Sequence, residues 1–398
     1  MTPSELAENK AYHAPHYTVA AVDLGVWPVL LVLGARFLTR PLFALASRVR
    51  LRSAVLARVW GDDSWATTVA FALLYFGVFA VLTLPLEAWS YSHERAFGLS
   101  TESTGAWLLD SLKAHLLLIV AVTALAFGLF GIARRTPRWW WLVGLATSLV
   151  LVVSTALDPY RARLYVDQAP LEPGSLRTRL TEVLTRAQVP FGEIVVVNTS
   201  EKSVRVQAAF AGTGPTRTIL LTDTLIASMS EAEIVAAVAH EAGHVSESRW
   251  PGRLASPLAV FGLLAFVELL FRRSQARSWF GITQRADVRV LPRVLLAFDV
   301  AMMVATPVSA AFSRERELAA DRYALQLTHD AASLTSLLEK LGRINKVDPD
   351  PPRWYVLSGV THPTIRERVE AIQKNATPPP TTPVKVGTSA QQEPGVMR

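Results

Sequence analysis

Residues 230–246 read SEAEIVAAVAHEAGHVS, and the HEAGH at 240–244 decides how the rest of the chain is understood. Ser230 followed by Glu233 fits a capping box, and Ile234, Val235 and Val238 supply an apolar face, so the spacing predicts a helix. On that helix His240 and His244 lie four residues apart on one side, with about 6 Å between them. Two imidazoles so placed can share one Zn2+ at about 2.0–2.1 Å. Glu241 sits one step round the helix, beside the ion without binding it, where it can take a proton from water. The competing reading is two solvated histidines beside a surface glutamate. A five-residue pattern of this kind arises by chance in about one such chain in a hundred, and the helical context argues further against chance.

A catalytic zinc site wants three protein ligands and one open position. Working outward, residues 313–324 (SRERELAADRYA) are again helical, and Glu317 and Asp321 share a face. One can bind the metal while the other accepts the N–H of a ligand histidine and fixes its tautomer. Spacing alone does not choose between Glu315 and Glu317. It also allows a solvated charged face, with a salt bridge such as Arg314 to Glu317. His362 precedes Pro363 and a helix holding Arg366 and Arg368. By itself such a histidine is more often a cap or surface residue than a catalytic one.

The bulk numbers place this site in a membrane protein. Of 398 residues, 51% are hydrophobic and only 18% charged, against about 25% in an ordinary soluble protein. With no cysteine, disulfides, thiolate metal sites and cysteine nucleophiles are all excluded, and a metal must be held by His, Asp or Glu. The net charge is +7, but the arginines cluster in short loops between apolar runs. That is a membrane pattern and argues against nucleic acid as a partner. The first 17 residues are polar with Lys10 as their only basic residue, which is no signal-peptide pattern. The first apolar segment is expected to be kept as an anchor.

A helix needs about 20 apolar residues to cross a hydrocarbon core of about 30 Å. Six stretches come close, roughly 18–38, 64–88, 106–133, 139–157, 254–271 and 290–312. Ionisable residues fall in or beside them: Asp23, Asp110, Lys113, His115, Glu268 and Asp299. Those near span ends belong at the interface, whereas Glu268 and Asp299 are expected in the bundle interior or a water-filled cavity. Residues 158–250 carry more charge and shorter apolar runs. Here 174–188 reads as an amphipathic helix, and 191–198, 205–211 and 218–222 as strands. Residues 313–375 return to a soluble helical pattern, and the Pro- and Thr-rich tail 376–398 is expected to be disordered.

These pieces, in this order, resemble the M48 peptidases, and specifically the Ste24-type CAAX prenyl proteases, over about residues 64–374. HEAGH matches the zinc helix. SRERELAADRYA matches a pattern of glutamate, then aspartate four residues on, then alanine. The resemblance therefore implies Glu317 as third ligand and Asp321 as the aspartate behind it. THPTIRER at 361–368 matches a histidine-proline motif, which implies that His362 and Arg368 help bind substrate and stabilise the transition state. SHERAFGLSTES at 92–103 and APLEPGSLRTRL at 169–180 resemble segments that separate the Ste24-type branch from the smaller HtpX-like one. The family's substrate-pairing edge strand, usually Asn-Ala-aromatic-Phe, matches Gln207, Ala208, Ala209 and Phe210. Gln and Ala replace Asn and the aromatic, which touches side-chain specificity but not backbone pairing.

The resemblance implies a mainly α-helical multi-pass membrane protein of about six or seven transmembrane helices, with a small α+β zincin-like metalloprotease domain. The expected divisions are a membrane domain of about four spans at 1–157, a soluble α/β part with the zinc helix at 158–250, two further spans at 251–312, and the rest of the protease domain at 313–375. Family members have seven spans around a large water-filled chamber, whereas six are counted here. The implied activity is peptide hydrolysis with one Zn2+ per chain, on a prenylated or membrane-embedded substrate. The composition, rich in Ala, Arg, Val and Leu, suggests a bacterial plasma membrane, with the endoplasmic reticulum as the alternative. An inactive membrane scaffold or a transporter using Asp299 and Glu268 are the rival readings. Orientation is contested. The loops 39–63, 134–138 and 272–289 concentrate arginines opposite the zinc domain, which the positive-inside tendency puts in the cytoplasm. The family resemblance puts the catalytic domain there, and the expectation follows the family.

Overall fold

The computed structural model describes residues 1–60, 64–162, 167–246, 250–276 and 286–376. The expected disordered tail lies outside the described residues but for its first residue, Ala376, which ends a helix. Each of the six apolar stretches falls in a helix. Helix α1 (Pro3–Leu33) runs through a π turn (Gly34–Leu38) into α2 (Thr39–Ala46), and α3 (Ala54–Trp60) is short. Then come α4 (Trp65–Ala96), α5 (Thr104–Arg135) and α6 (Trp139–Ala162). Later, α10 (Trp250–Ala276) and α11 (Leu291–Thr328) return through the same layer. At 1.5 Å per residue the 32-residue α4 and α5 are about 48 Å long, well beyond what a bilayer needs. Their surplus turns carry the chain out to the soluble module.

The first polar residues are helical. Thr2 and Glu5 form a capping box that starts α1, with Pro3 at its first position. The polar turns that follow lie against the soluble module. The Asn9 amide donates to the carbonyls of Gly342 and Val347 at 3.0 and 2.8 Å, and the Tyr17 hydroxyl donates to Asp348 at 2.7 Å.

Four strands form one small sheet in the order β1-β2-β4-β3. These are β1 (Gln168–Pro170), β2 (Glu193–Val197), β3 (Ala208–Ala211) and β4 (Thr218–Thr222). β2 runs parallel to β4, and β1 and β3 are antiparallel edges. The strand expected at 205–211 is shorter because its start is drawn out of the ladder. Val206 N–H donates to Asn345 and Gln207 N–H to the Thr222 hydroxyl. β1 was not foreseen, since three residues ending in proline carry no alternation. The amphipathic helix expected at 174–188 is α7 (Ser175–Arg186), with Leu180, Val183 and Leu184 buried against the sheet. After the short α8 (Asp223–Ser228) comes α9 (Glu231–Ser246), whose capping box forms as read: Ser230 N–H donates to Glu233 at 2.7 Å and Glu233 N–H to Ser230 at 3.3 Å. The chain closes with α12 (Ala331–Ile344), α13 (Arg353–Gly359) and α14 (Ile365–Ala376).

Helix α11 joins the two halves. Its 38 residues span about 57 Å, so the apolar first part can lie in lipid while residues 313–328 stand clear of it. The division read at 312/313 therefore falls inside one continuous helix. Glu268 is buried in the bundle, taking Trp139 Nε1–H at 2.6 Å and Arg272 Nε–H at 2.8 Å. Asp110 lies on the soluble side, 2.5 Å from Lys202.

Candidate active site

Helices α9 and α11 cross where Gly243 meets Ala320. A Cβ on Gly243 would lie 2.8 Å from Ala320 Cα and 3.2 Å from its carbonyl oxygen, so only glycine lets the backbones come this close. The crossing sets Glu317, three residues before Ala320, and Asp321, the residue after it, opposite the HEAGH imidazoles. Sequence reading passed over Gly243. Its place between two ligand positions and opposite an Ala-Ala pair was the only available signal.

His240 Nε2 is 3.4 Å from Glu317 Oε2, and His244 Nε2 is 3.2 Å from Glu317 Oε1. One ligand atom from each residue lies within 4.8 Å of the others. Bonds of about 2.0–2.2 Å at tetrahedral angles set neighbouring donors about 3.3–3.6 Å apart, so these residues fit a zinc ion. The donor set, two imidazoles and one carboxylate, is that of catalytic zinc sites. Glu317 is buried, and its Oε2 takes no well-aligned hydrogen bond although three nitrogens surround it. An acceptor held that way suits a cation. Of the two glutamates that spacing left open, Glu315 is exposed and Glu317 is the one that meets the imidazoles. Arg314 does not pair with Glu317. It donates to the carbonyls of Val356 and Val360 at 3.2 and 2.7 Å and so fixes α13.

Behind His240 stands a buried relay. His240 Nδ1–H donates to Asp321 Oδ1 at 2.9 Å, which leaves Nε2 facing Glu317. Arg368 holds Asp321 in a fork, Nε to Oδ2 at 2.8 Å and Nη2 to Oδ1 at 2.7 Å. Burial by itself would lower the His240 pKa, but the Asp321 and Glu317 carboxylates outweigh it and raise it to about 9. Burial raises the Glu241 carboxyl above its ordinary value, with both histidines pulling the other way.

The remaining expected residues divide. His362 is exposed at the rim, with Nδ1 3.0 Å from Glu317 Oε2, well placed to meet a substrate. The Arg368 side chain is only 12% exposed; it is forked on Asp321, and its Nη1 lies 3.6 Å from Glu317 Oε2. Ala208, Ala209 and Phe210 lie in β3, which packs beside α9, and Gln207 precedes it. One edge of β3 pairs with β4, and among the described residues no strand pairs with the other.

The sequence profile of peptidase family M48 matches residues 170–376, and a profile described as the CAAX prenyl protease amino-terminal region, of five membrane helices, matches residues 4–160. The chain is 27% identical over 321 residues to the uncharacterized metalloprotease YhfN of Bacillus subtilis, covering 78% of this chain and 74% of the relative. It is 25% identical over 334 residues to CAAX prenyl protease 1 of Saccharomyces cerevisiae, covering 77% and 73%. The crystal structure of S. mikatae Ste24p superposes with a TM-score of 0.80 at 22% identity, covering 94% of this chain and 90% of that one, which shows a shared fold.

Proposed function

Since the chain belongs to peptidase family M48 and is a membrane metalloprotease of the Ste24 type, we propose that its metal is zinc, held by His240, His244 and Glu317, with Glu241 as the proton carrier. The observation that carries this reading is the meeting of three ligand atoms from α9 and α11 within 4.8 Å, with the neighbouring Glu241 carboxylate outside the ligand set.

Zinc, when bound, supplies Lewis acidity toward a carbonyl and toward water. The protein's own groups do the rest. An extended peptide adds to the open edge of β3 through backbone hydrogen bonds, with Gln207, Ala208, Ala209 and Phe210 alongside it. Glu241 takes a proton from the attacking water and hands it to the leaving amine. His362 at the rim donates to the developing oxyanion. Asp321 keeps His240 in the tautomer whose Nε2 is free, and Arg368 keeps Asp321 in place.

The substrate is a peptide or protein reached from the bilayer. Two classes fit: a CAAX-like carboxy terminus, as the yeast relative's name states for that protein, or a membrane protein undergoing quality control. We favour the second, in a bacterial plasma membrane, because the composition and the Bacillus relative both point to a bacterial chain. The inactive-scaffold and transporter readings are not favoured. The ligand set is complete, and Glu268 is held by Trp139 and Arg272 instead of lining a path.

The test is a cleavage assay on purified protein in detergent, with a prenylated CAAX peptide beside an unfolded membrane protein. Chelator and Glu241→Gln should each lower cleavage by about a hundredfold to ten-thousandfold. Glu241→Gln should still retain one zinc per chain, which separates chemistry from metal loss. Full activity in either arm would sink the reading.

A further inference from the structure

The arginine-rich loops take no part in the chemistry described above, yet they converge. Arg134 Nε–H donates to the Ala286 carbonyl at 3.2 Å. The Arg134 guanidinium lies 5.1 Å from the Trp60 ring and that of Arg289 4.6 Å from the Phe43 ring. Three sequence-distant loops thus share one end of the bundle. α11 begins at this end with Leu291 and reaches Glu317 26 residues later, about 39 Å away. The catalytic site is at the opposite end.

The charge here is one-sided. From Leu24 to Trp60 the sequence holds six arginines and no acidic residue, and even Asp62 and Asp63, which follow, leave the balance strongly basic. Among the described residues nearby, Glu268 is taken by Trp139 and Arg272, and Asp287 by Arg289 at 2.6 Å. Between α2 and α3 the chain leaves helix, and every residue from Arg48 to Arg52 (RVRLR) is exposed. Basic and apolar side chains alternate along it. Arg48 and Val49 close the last turn of α2, their N–H groups donating to the carbonyls of Leu45 and Ala46 at 3.1 and 3.0 Å, and the chain beyond them is irregular as far as Ser53. Leu51 is 57% exposed and Val55, just beyond, 69%. The same end carries the tryptophan run 139–141, with Trp141 exposed, which marks the headgroup level.

We propose that this strip docks anionic phospholipid headgroups of the leaflet at the non-catalytic end: the guanidinium groups of Arg48, Arg50 and Arg52 meet phosphate while Val49, Leu51 and Val55 enter the acyl boundary. Guanidinium recognises phosphate in paired hydrogen bonds, and among the described residues these three side chains stand exposed at the surface. The strip anchors the base of the bundle in anionic lipid and leaves the catalytic end free to meet substrate.

The experiment uses the full chain reconstituted in phosphatidylcholine bilayers with about one-fifth phosphatidylglycerol. Energy transfer from protein tryptophan to dansyl-phosphatidylglycerol is compared with transfer to dansyl-phosphatidylcholine. Each juxtamembrane basic residue is worth about a fivefold preference for an anionic surface. R48Q/R50Q/R52Q should therefore lower the anionic enrichment by about tenfold or more, with the thermal midpoint in zwitterionic detergent unchanged. The matching lysine triple variant should keep most of it, and added salt should weaken it in the wild type. Arg179→Gln, on the exposed face of α7, is the control. The proposal is overturned if the glutamine triple variant keeps wild-type enrichment, or if the control variant loses as much.

Discussion

The two packed cores of this molecule lie at opposite ends of its long helices and are built from different residues. At the catalytic end Val183, Leu184, Ile219 and Ala324 share a core with α9, and at Gly243 and Ala320 two helices touch through backbone and small side chains. At the other end Trp60, Phe71, Tyr75, Phe130, Trp139 and Phe271 wedge between helices. Where rings enter, the facing residue is small: a Cβ on Gly131 would lie 2.8 Å from Trp60 Nε1. Lipid offers helices no hydrophobic drive to associate, so close steric fit has to hold them. The catalytic end needs something else, two helices near enough for four polar side chains to interlock. One core therefore sets distance and the other supplies packing contact.

That contrast breaks first at Gly243. Valine there must push α11 away from Ala320, which shifts Glu317 and Asp321 together. A 1 Å misplacement of reacting groups costs about a hundredfold, and an added isopropyl group exceeds that, so kcat/KM should fall about a thousandfold with zinc content falling too. A Gly243→Val enzyme with near-normal activity and metal would show that the crossing does not set the site.

The other core predicts the opposite signature. Phe271 is fully buried, and Phe271→Ala leaves a cavity that should cost about 3 kcal/mol of stability, measured by thermal or SDS unfolding. Residual folded protein should keep kcat/KM within about twofold. If activity fell tenfold at unchanged stability, the two ends would be coupled, and the division into distance and contact would be wrong.

Legibility followed the same line. His240, His244 and Glu241 could be read from spacing because helical period converts spacing into direction. The third ligand needed the family resemblance, since Glu315 and Glu317 differ only in which face α11 buries. The fork of Arg368 on Asp321 was not legible, because nothing local says which carboxylate one helix away a guanidinium will meet. The spans were visible as apolar runs, but the aromatic wedge at their far end was not. Rings such as Phe71 and Phe130 look like any lipid-facing residue until a small partner from another helix is known. The docking of the polar first turns was not legible because the partners of Asn9, the carbonyls of Gly342 and Val347, are more than three hundred residues away.

A third test sharpens how the catalytic end is held. Glu233 caps α9 and also takes the Ser336 hydroxyl at 2.6 Å and Lys340 Nζ at 2.8 Å, at 4% exposure. Burial works against its charge, but those hydrogen bonds prevail and bring its pKa from 4.5 to about 2. A lowered folded pKa gives stability that is present above pH 4.5 and is lost as pH falls toward about 2. The difference corresponds to about 3 kcal/mol. Unfolding midpoints measured from pH 5 down to 2 should fall less steeply in Glu233→Gln than in wild type. Parallel slopes would mean that the Glu233 contacts do not favour its charged form.

The smallest effect is expected where the halves meet at the surface. Lys202 on the soluble module reaches Asp110 on α5 at 2.5 Å, and both side chains are more than 40% exposed. Exposed pairs contribute about 0–1 kcal/mol. The joint has firmer bonds beside it, from Thr101 N–H to the Lys202 carbonyl at 3.2 Å and from Val204 N–H to the Leu99 carbonyl at 3.1 Å. These are backbone bonds that no side-chain change removes. A double-mutant cycle of Asp110→Asn and Lys202→Gln should therefore give a coupling below about 1 kcal/mol, smaller still at high salt. A coupling above about 2 kcal/mol would shift the joint from the backbone to this ion pair. The soluble module would then be hinged on a contact that salt can open.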